Sequence, residues 1–397
     1  MRPTPRALLV LAVAVAVACG GGEPTAVGLP TEKPDTVTTP VLPDTAGIGA
    51  VVAALTIDPA NLPSYAVTLP ATYGPAVLAR EDRTVGNPIT DGGAMLGRVL
   101  WFERRLSRND GLACAGCHQQ GLAFGDTARF SAGFAGGFAG AHTMRLANNR
   151  FNENGNQFWD RRAPTLEAQV VQPIQNAVEM GFDDAHGGIA AALAKVRAAP
   201  YYARLFKLAY GDTAITEDRV RRALAQYVRS MVSVDSRWDR AIAAAPAGVP
   251  FGQPLAGLTA EENTGLQLFV LPPPAGGLGC AGCHVPPTFS LAGNSLSNGL
   301  DAGETRIFRS PSLKTIGMGT RYMHDGRFAT LEEVVEFYDN GVQAGPALDN
   351  RLRAGPGGAP RRLNLSASQK AALAAFLRTL ADSSLQHAPR FSDPFRR

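Results

Sequence analysis

Two stretches of the chain carry the same five residues: Cys114-Ala115-Gly116-Cys117-His118 recurs as Cys280-Ala281-Gly282-Cys283-His284. Two thiols separated by two residues, followed directly by an imidazole, form the attachment signal of a c-type haem. The sulfurs bond to the two vinyl groups of one porphyrin, and the intervening residues set their separation. The histidine then lies beneath the ring and ligates iron through a ring nitrogen. A zinc site or two disulfides could use the same cysteines, but zinc sites built on paired C-x-x-C motifs seldom place a histidine after each. The repeat predicts two covalently bound haem c groups, held by Cys114, Cys117 and His118 and by Cys280, Cys283 and His284.

What each iron would do depends on its sixth position. A strong ligand there makes an electron carrier, and an open position binds small molecules. The histidines outside the motifs are His142, His186, His324 and His387. His186 lies in a helix-start turn and His387 near the end of the chain, so neither is expected at a haem. His142 and His324 sit in motif-like stretches.

The rest of the chain must position these groups. Its 397 residues allow two or three domains with buried cores. The net charge of +4, with no Lys/Arg cluster interleaved with aromatics, gives no nucleic-acid footprint. Residues 1–18 read as a secretory signal, with Arg2 and Arg6 ahead of an apolar run too short to span a membrane. Small residues before Cys19, with three glycines after it, resemble a bacterial lipoprotein cleavage site. Cys19 would then carry a lipid anchor on a periplasmic protein; ordinary cleavage after Ala18 is the alternative. Export suits c-type haem attachment. Residues 19–68, rich in Gly, Pro and Thr, are expected to be a flexible tether.

Helical periodicity is expected over 91–106, 189–196, 201–208 and 217–233. Capping boxes open helices at Thr259-Ala260-Glu261-Glu262, Thr330-Leu331-Glu332-Glu333 and Ser366-Ala367-Ser368-Gln369. Strand signals are scarce. The expected fold is mainly α, two cytochrome c-like haem domains with long loops and few strands. The domains span 69–248 and 249–387, with a tail over 388–397.

Several further stretches resemble the bacterial di-haem cytochrome c peroxidase family, which includes the MauG-type enzymes. They are Leu106-Ser107-Arg108, Phe158-Trp159-Asp160-Arg161-Arg162-Ala163, Gln169 with Pro173 and Val178-Glu179-Met180-Gly181, and Tyr322-Met323-His324-Asp325-Gly326-Arg327-Phe328. The resemblance covers residues 70–385. It implies that the first haem is the peroxide site, with Glu179 as the acid/base residue on its distal side and Gln169 and Pro173 shaping the pocket. It implies that Trp159 lies between the haems. The peroxidases place a Met fourteen residues after the position of His324, whereas this chain has Tyr338 there, as MauG-type proteins do. The resemblance thus implies that Tyr338 joins His284 on the second iron, with Met323 or Met318 as fallback ligands. The family position of a histidine that plugs the first haem falls near Phe134, and His142 falls nearer an Asn that binds calcium between the domains. His142 is either a displaced plug on the first iron or no ligand at all, leaving that haem open, which is the favoured reading. A calcium ion is possible, though a neutral imidazole suits a hard cation poorly.

The reading that follows is an enzyme reducing hydrogen peroxide to water with electrons from a small cytochrome c or cupredoxin. One rival is a MauG-like oxidase of a protein or organic substrate, acting through a high-valent di-haem state. Another is a di-haem electron carrier without catalysis. The resemblance also allows a homodimer.

Overall fold

The computed structural model describes residues 47–396, apart from 83–85, 153–156, 292 and 294. The expected signal segment, Cys19 and the first part of the tether lie outside the described residues. Among the described residues the architecture is helical, and β pairing is confined to isolated bridges. No described helix is long and apolar enough to cross a membrane.

Two helix crossings organise the chain. The helix Asp91–Phe102 starts at Thr90, whose hydroxyl accepts from the Gly93 amide at 3.0 Å. It crosses Glu217–Arg229 at Gly97, where a Cβ would overlap the carbonyl oxygen of Ala223. The helix Ala260–Val270 opens on the capping box of Thr259 and Glu262 and crosses Ala367–Arg378 at Gly265. A Cβ on Gly265 would overlap the carbonyl oxygen of Ala372. In both places the first helix leads into a Cys-Ala-Gly-Cys-His motif. The internal repeat is therefore also a repeat of packing, with close backbone approach replacing a side-chain layer at each crossing.

One apolar core gathers Leu96, Val99 and Leu100 with Leu224, Tyr227 and Val228. A second gathers Leu266 and Phe269 with Phe289, Leu373, Phe376 and Leu377. The boxes at Thr330 and Ser366 are formed as expected, and a further one pairs Ser236 with Asp239 at the helix Arg237–Ala243. Two expected helices are shorter than their periodic runs. The first ends at Phe102 and continues as a 3-10 turn over Arg104–Leu106; the one from Glu217 ends at Arg229.

The tether assigned to 19–68 is corrected over its second part. Ile48–Ala54 is helical, and Val51, Leu55 and Tyr65 are buried in the first core. The apolar residues Ile48, Val51 and Leu55 recur at helical spacing, and burial of Val51, Leu55 and Ile57 overrides the local Gly and Pro content. The tail also returns to this core. Phe391 has no exposed surface, the Thr56 amide donates to the Pro394 carbonyl at 2.7 Å, and Arg98 Nε donates to the Ser392 carbonyl at 2.7 Å.

Candidate functional site

Cys114–Cys117 forms a single helical turn, and the His118 amide closes it onto the Cys114 carbonyl at 2.9 Å. Residues Ala123 and Phe124 both take left-handed φ, 53° and 63°. This tight turn brings the Phe124 carbonyl to His118 Nδ1 at 3.0 Å. A carbonyl can only accept, so Nδ1 carries the proton and Nε2 keeps its lone pair. Burial lowers the His118 pKa and keeps the ring neutral, the form that binds metal. The second motif repeats the device. The His284 amide meets the Cys280 carbonyl at 3.1 Å, Nδ1 meets the Phe289 carbonyl at 3.3 Å, and Phe289 has φ 50°. Burial brings His284 down to about 4. All four motif cysteines are free thiols, so neither C-x-x-C is a disulfide here.

The surroundings fit the porphyrins these motifs imply. Beside the second motif opens an apolar cleft lined by Cys280, Cys283, His284, Trp159, Met323 and Tyr338. Three buried polar atoms among its lining residues, Arg309 Nε, Arg361 Nε and Asn298 Oδ1, have no hydrogen-bond partner from the protein. Beside the first motif the Trp101 ring lies 5.5 Å from that of His118, with its buried Nε1 likewise unpartnered. Apolar walls with a few unsatisfied polar atoms suit a large flat group with charged side arms.

Glu179 lies by the first motif, close enough that its charge would raise the pKa of both Cys114 and Cys117. Its turn is held by Asn176, whose side-chain oxygen accepts from the amides of Val178 at 2.8 Å and Glu179 at 3.0 Å. The Gly-rich loop closes against it: the Phe134 amide donates to the Glu179 carbonyl at 3.0 Å, and the Phe134 ring fills the space left by Gly181. Glu179 is half-buried, and burial lifts its pKa while Arg162 pulls it back. Gln169 ends the short helix Leu166–Gln169 and is half-buried.

Trp159 is a wall of the second cleft. Its Nε1 donates to the His142 carbonyl at 2.7 Å, and its own carbonyl accepts from the Arg309 amide at 2.8 Å. Left-handed residues flank it, Phe158 at φ 68° and Arg161 at 62°. These bends let one short segment aim Trp159 into the cleft while Arg162 packs over the Phe158 ring at 3.5 Å and acts on Glu179. Strained backbone of this kind persists only where the surroundings hold it.

His142 is buried. Its Nδ1 meets the carbonyls of Ala128 and Arg129 at 3.1 and 3.2 Å, and its Nε2 has no partner. At the expected calcium position there is thus an imidazole turned into two carbonyls, and a backbone oxygen already taken by Trp159. Asp301, Glu304 and His324 are close enough to share a cation, but Glu304 pairs with Arg306 and Asp301 with Arg327, while His324 stacks on Phe308 at 4.1 Å.

Tyr338 and Met323 reach the same cleft as His284, whereas Met318 lies on a 3-10 turn against the helix Ala367–Arg378 and does not line it. Asn298 joins the two: its Nδ2 lies 3.5 Å from Met323 Sδ, and its hydrogen bond to Tyr338 opposes the burial that pushes the phenol up to about 12. Asn298 and Arg145, both lining the cleft, were not identified from sequence; a lone Asn and a lone Arg carry no spacing signal.

A model of the di-haem cytochrome c peroxidase family matches residues 91–246. The methylamine utilization protein MauG of Methylorubrum extorquens is 30% identical over 310 residues, covering 74% of this chain and 79% of that protein. The cytochrome c551 peroxidase of Nitrosomonas europaea is 30% identical over 261 residues, 61% of this chain and 71% of its own. Among solved structures, a MauG-like protein associated with microbial copper homeostasis superposes with a TM-score of 0.65 at 30% identity, covering 84% of this chain and 98% of that one. A diheme peroxidase from Burkholderia thailandensis, at 22% identity and TM-score 0.58 over 79% of this chain and 92% of its own, shares the fold. With its similarity to MauG, its two haem-attachment motifs, neutral histidines and a fitting cleft, the chain belongs to the di-haem cytochrome c peroxidase and MauG family of oxidoreductases.

Proposed function

We propose that this oxidoreductase reduces hydrogen peroxide to water at the first haem, using electrons that a small cytochrome c or cupredoxin delivers to the second. The observation that carries the reading is Glu179, a half-buried carboxyl beside Cys114 and Cys117 whose pKa is raised by burial and pulled back by Arg162. The reaction consumes one peroxide, two electrons and two protons and yields two waters. One peroxide oxygen must lose a proton and the departing one must gain it. A single carboxylate within reach of both can take and return that proton, and a raised pKa improves it as a donor. Haem c at the two motifs supplies the irons that take up peroxide and pass electrons. The chain's own part is to keep His118 and His284 neutral and oriented, to hold the Gly-rich loop against Glu179, and to fix Trp159 at the second cleft. Replacing Glu179 by Gln should lower peroxide turnover by roughly 10²- to 10⁴-fold. Two haems per chain should remain by pyridine haemochromogen assay, and full activity in that variant would sink the assignment.

Tyr338 favours a second reading, a MauG-like oxidase that withdraws electrons from a protein or organic substrate. A phenolate is a hard anionic donor that favours oxidised iron, where a thioether favours the ferrous state. Steady-state turnover of reduced cytochrome c with peroxide separates the two: rapid consumption supports the peroxidase, negligible consumption the oxidase. Two low-spin ferric signals in the oxidised protein, with no high-spin signal, would instead support a carrier.

A further inference from the structure

Among the described residues, Arg145 is a cation that pairs with no carboxylate. Its stem passes Gly125, where a Cβ would lie 2.9 Å from Arg145 Cγ, and its Nη1 fills the space a Cβ on Gly319 would need. The guanidinium lies over the Tyr322 ring, 5.3 Å from the centroid, and makes one long hydrogen bond to the Arg321 carbonyl at 3.4 Å. Burial disfavours its charge, and among the described residues the Tyr322 phenol is what favours it. Arginine does not deprotonate in proteins, so the charge stays, and a desolvated charge requires an anion. The carboxylate that lines the same cleft, Asp349, is paired with Arg351 at 2.7 Å. Of the other cleft arginines, Arg351 is paired with Asp349, while Arg361 donates to the Leu278 carbonyl and Arg309 to Gln157 and Asn149 through their terminal nitrogens, each keeping an unpartnered Nε. Arg351 and Arg361 also act on the sulfurs of Cys283 and Cys280, at the edge where thioethers form. Arg145 acts on Tyr322, and a haem's carboxylates lie away from its vinyl edge.

We propose that Arg145 is a positioning residue for the second haem, pairing with one of its propionates in the cleft and raising that haem's reduction potential. The proposal rests on the two-haem reading. Reduction adds an electron near a fixed positive charge, so the guanidinium stabilises the ferrous state relative to the ferric one. The side chain also braces the first site, because Gly125 follows Phe124, whose carbonyl holds His118.

The test is a spectroelectrochemical titration of the oxidised holoprotein, read beside haem content. Arg145→Gln should shift the second haem to lower potential, and Arg145→Lys should restore most of the shift, since the charge returns without the planar fork. Gly319→Ala displaces the guanidinium without removing it and should shift the same haem in the same direction; it keeps the test decisive if the Gln variant fails to load haem. Two haems with an unchanged second potential in both Arg145→Gln and Gly319→Ala would overturn the role of Arg145 alone. Fewer than two haems in the parent protein would overturn the di-haem reading and this inference with it.

Discussion

Tyr338 owes its place in the cleft to a break in helix geometry. The capped helix Leu331–Glu336 runs on as a π-turn over Phe337–Gly341, and Tyr338 falls inside that turn. One extra residue in a turn rotates everything after it about the helix axis, and such turns collect at functional sites. The 3.6-residue pattern of Val334, Val335 and Tyr338 predicts a continuous helix and cannot show the rotation. If Tyr338 is the axial partner of His284, Tyr338→Met should raise the second haem's potential and alter its ferric visible spectrum, and Met323→Leu should leave both unchanged. The reverse pattern would make Met323 the ligand. At this scale the sequence was most informative where chemistry forces residue type and spacing together, as in Cys-Ala-Gly-Cys-His. It was silent on Arg145 and Asn298, whose importance comes only from what the fold places around them.

The elements show the same division. N-terminal caps are local chemistry, a hydroxyl accepting from an amide three residues on, and all three capping boxes read from sequence form. Crossings are not local. Gly97 and Gly265 read as mild helix weaknesses until their partners, Ala223 and Ala372, are seen against them. Gly265→Ala should therefore cost more than a surface glycine replacement: the added methyl meets a carbonyl oxygen, and overpacking of this kind typically costs about 1–3 kcal/mol. Thermal unfolding would register it as a lower Tm with earlier loss of the second haem's absorbance; an unchanged or raised Tm would mean that the helices can separate freely. The segment 164–180 has apolar residues at mixed spacing, and it forms only the short helix Leu166–Gln169 followed by turns. It buries Leu166, Val170, Val171, Ile174 and Met180 in the first core through turns and not through one helix face, and it carries Glu179 at its end.

Across the whole molecule, the mainly helical class and the repeated motif-bearing units were legible from sequence, whereas the way the two ends of the described chain meet was not. Composition marked residues 47–68 as tether, yet Leu55 and Phe395 form a bridge and the Arg396 amide donates to the Ala54 carbonyl at 2.9 Å. Such pairing between distant segments leaves no periodic trace. Phe391 is the anchor, with its ring 5.7 Å from Phe124 and 5.8 Å from Tyr227. Phe391→Ala should destabilise the protein by about 3–5 kcal/mol, as expected for a buried aromatic. Chemical denaturation followed by far-UV circular dichroism checks this, and a loss below 1 kcal/mol would show that the tail is peripheral.

That anchor has a consequence for the order of events in the life of the chain. The carbonyl that orients His118 belongs to Phe124, and the ring of Phe124 rests on Phe391, a residue far later in the sequence. A growing chain presents its first pair of thiols long before Phe391 exists to close the wall behind them. The packing behind the imidazole of the first motif is therefore complete only when this distant segment has folded back onto it.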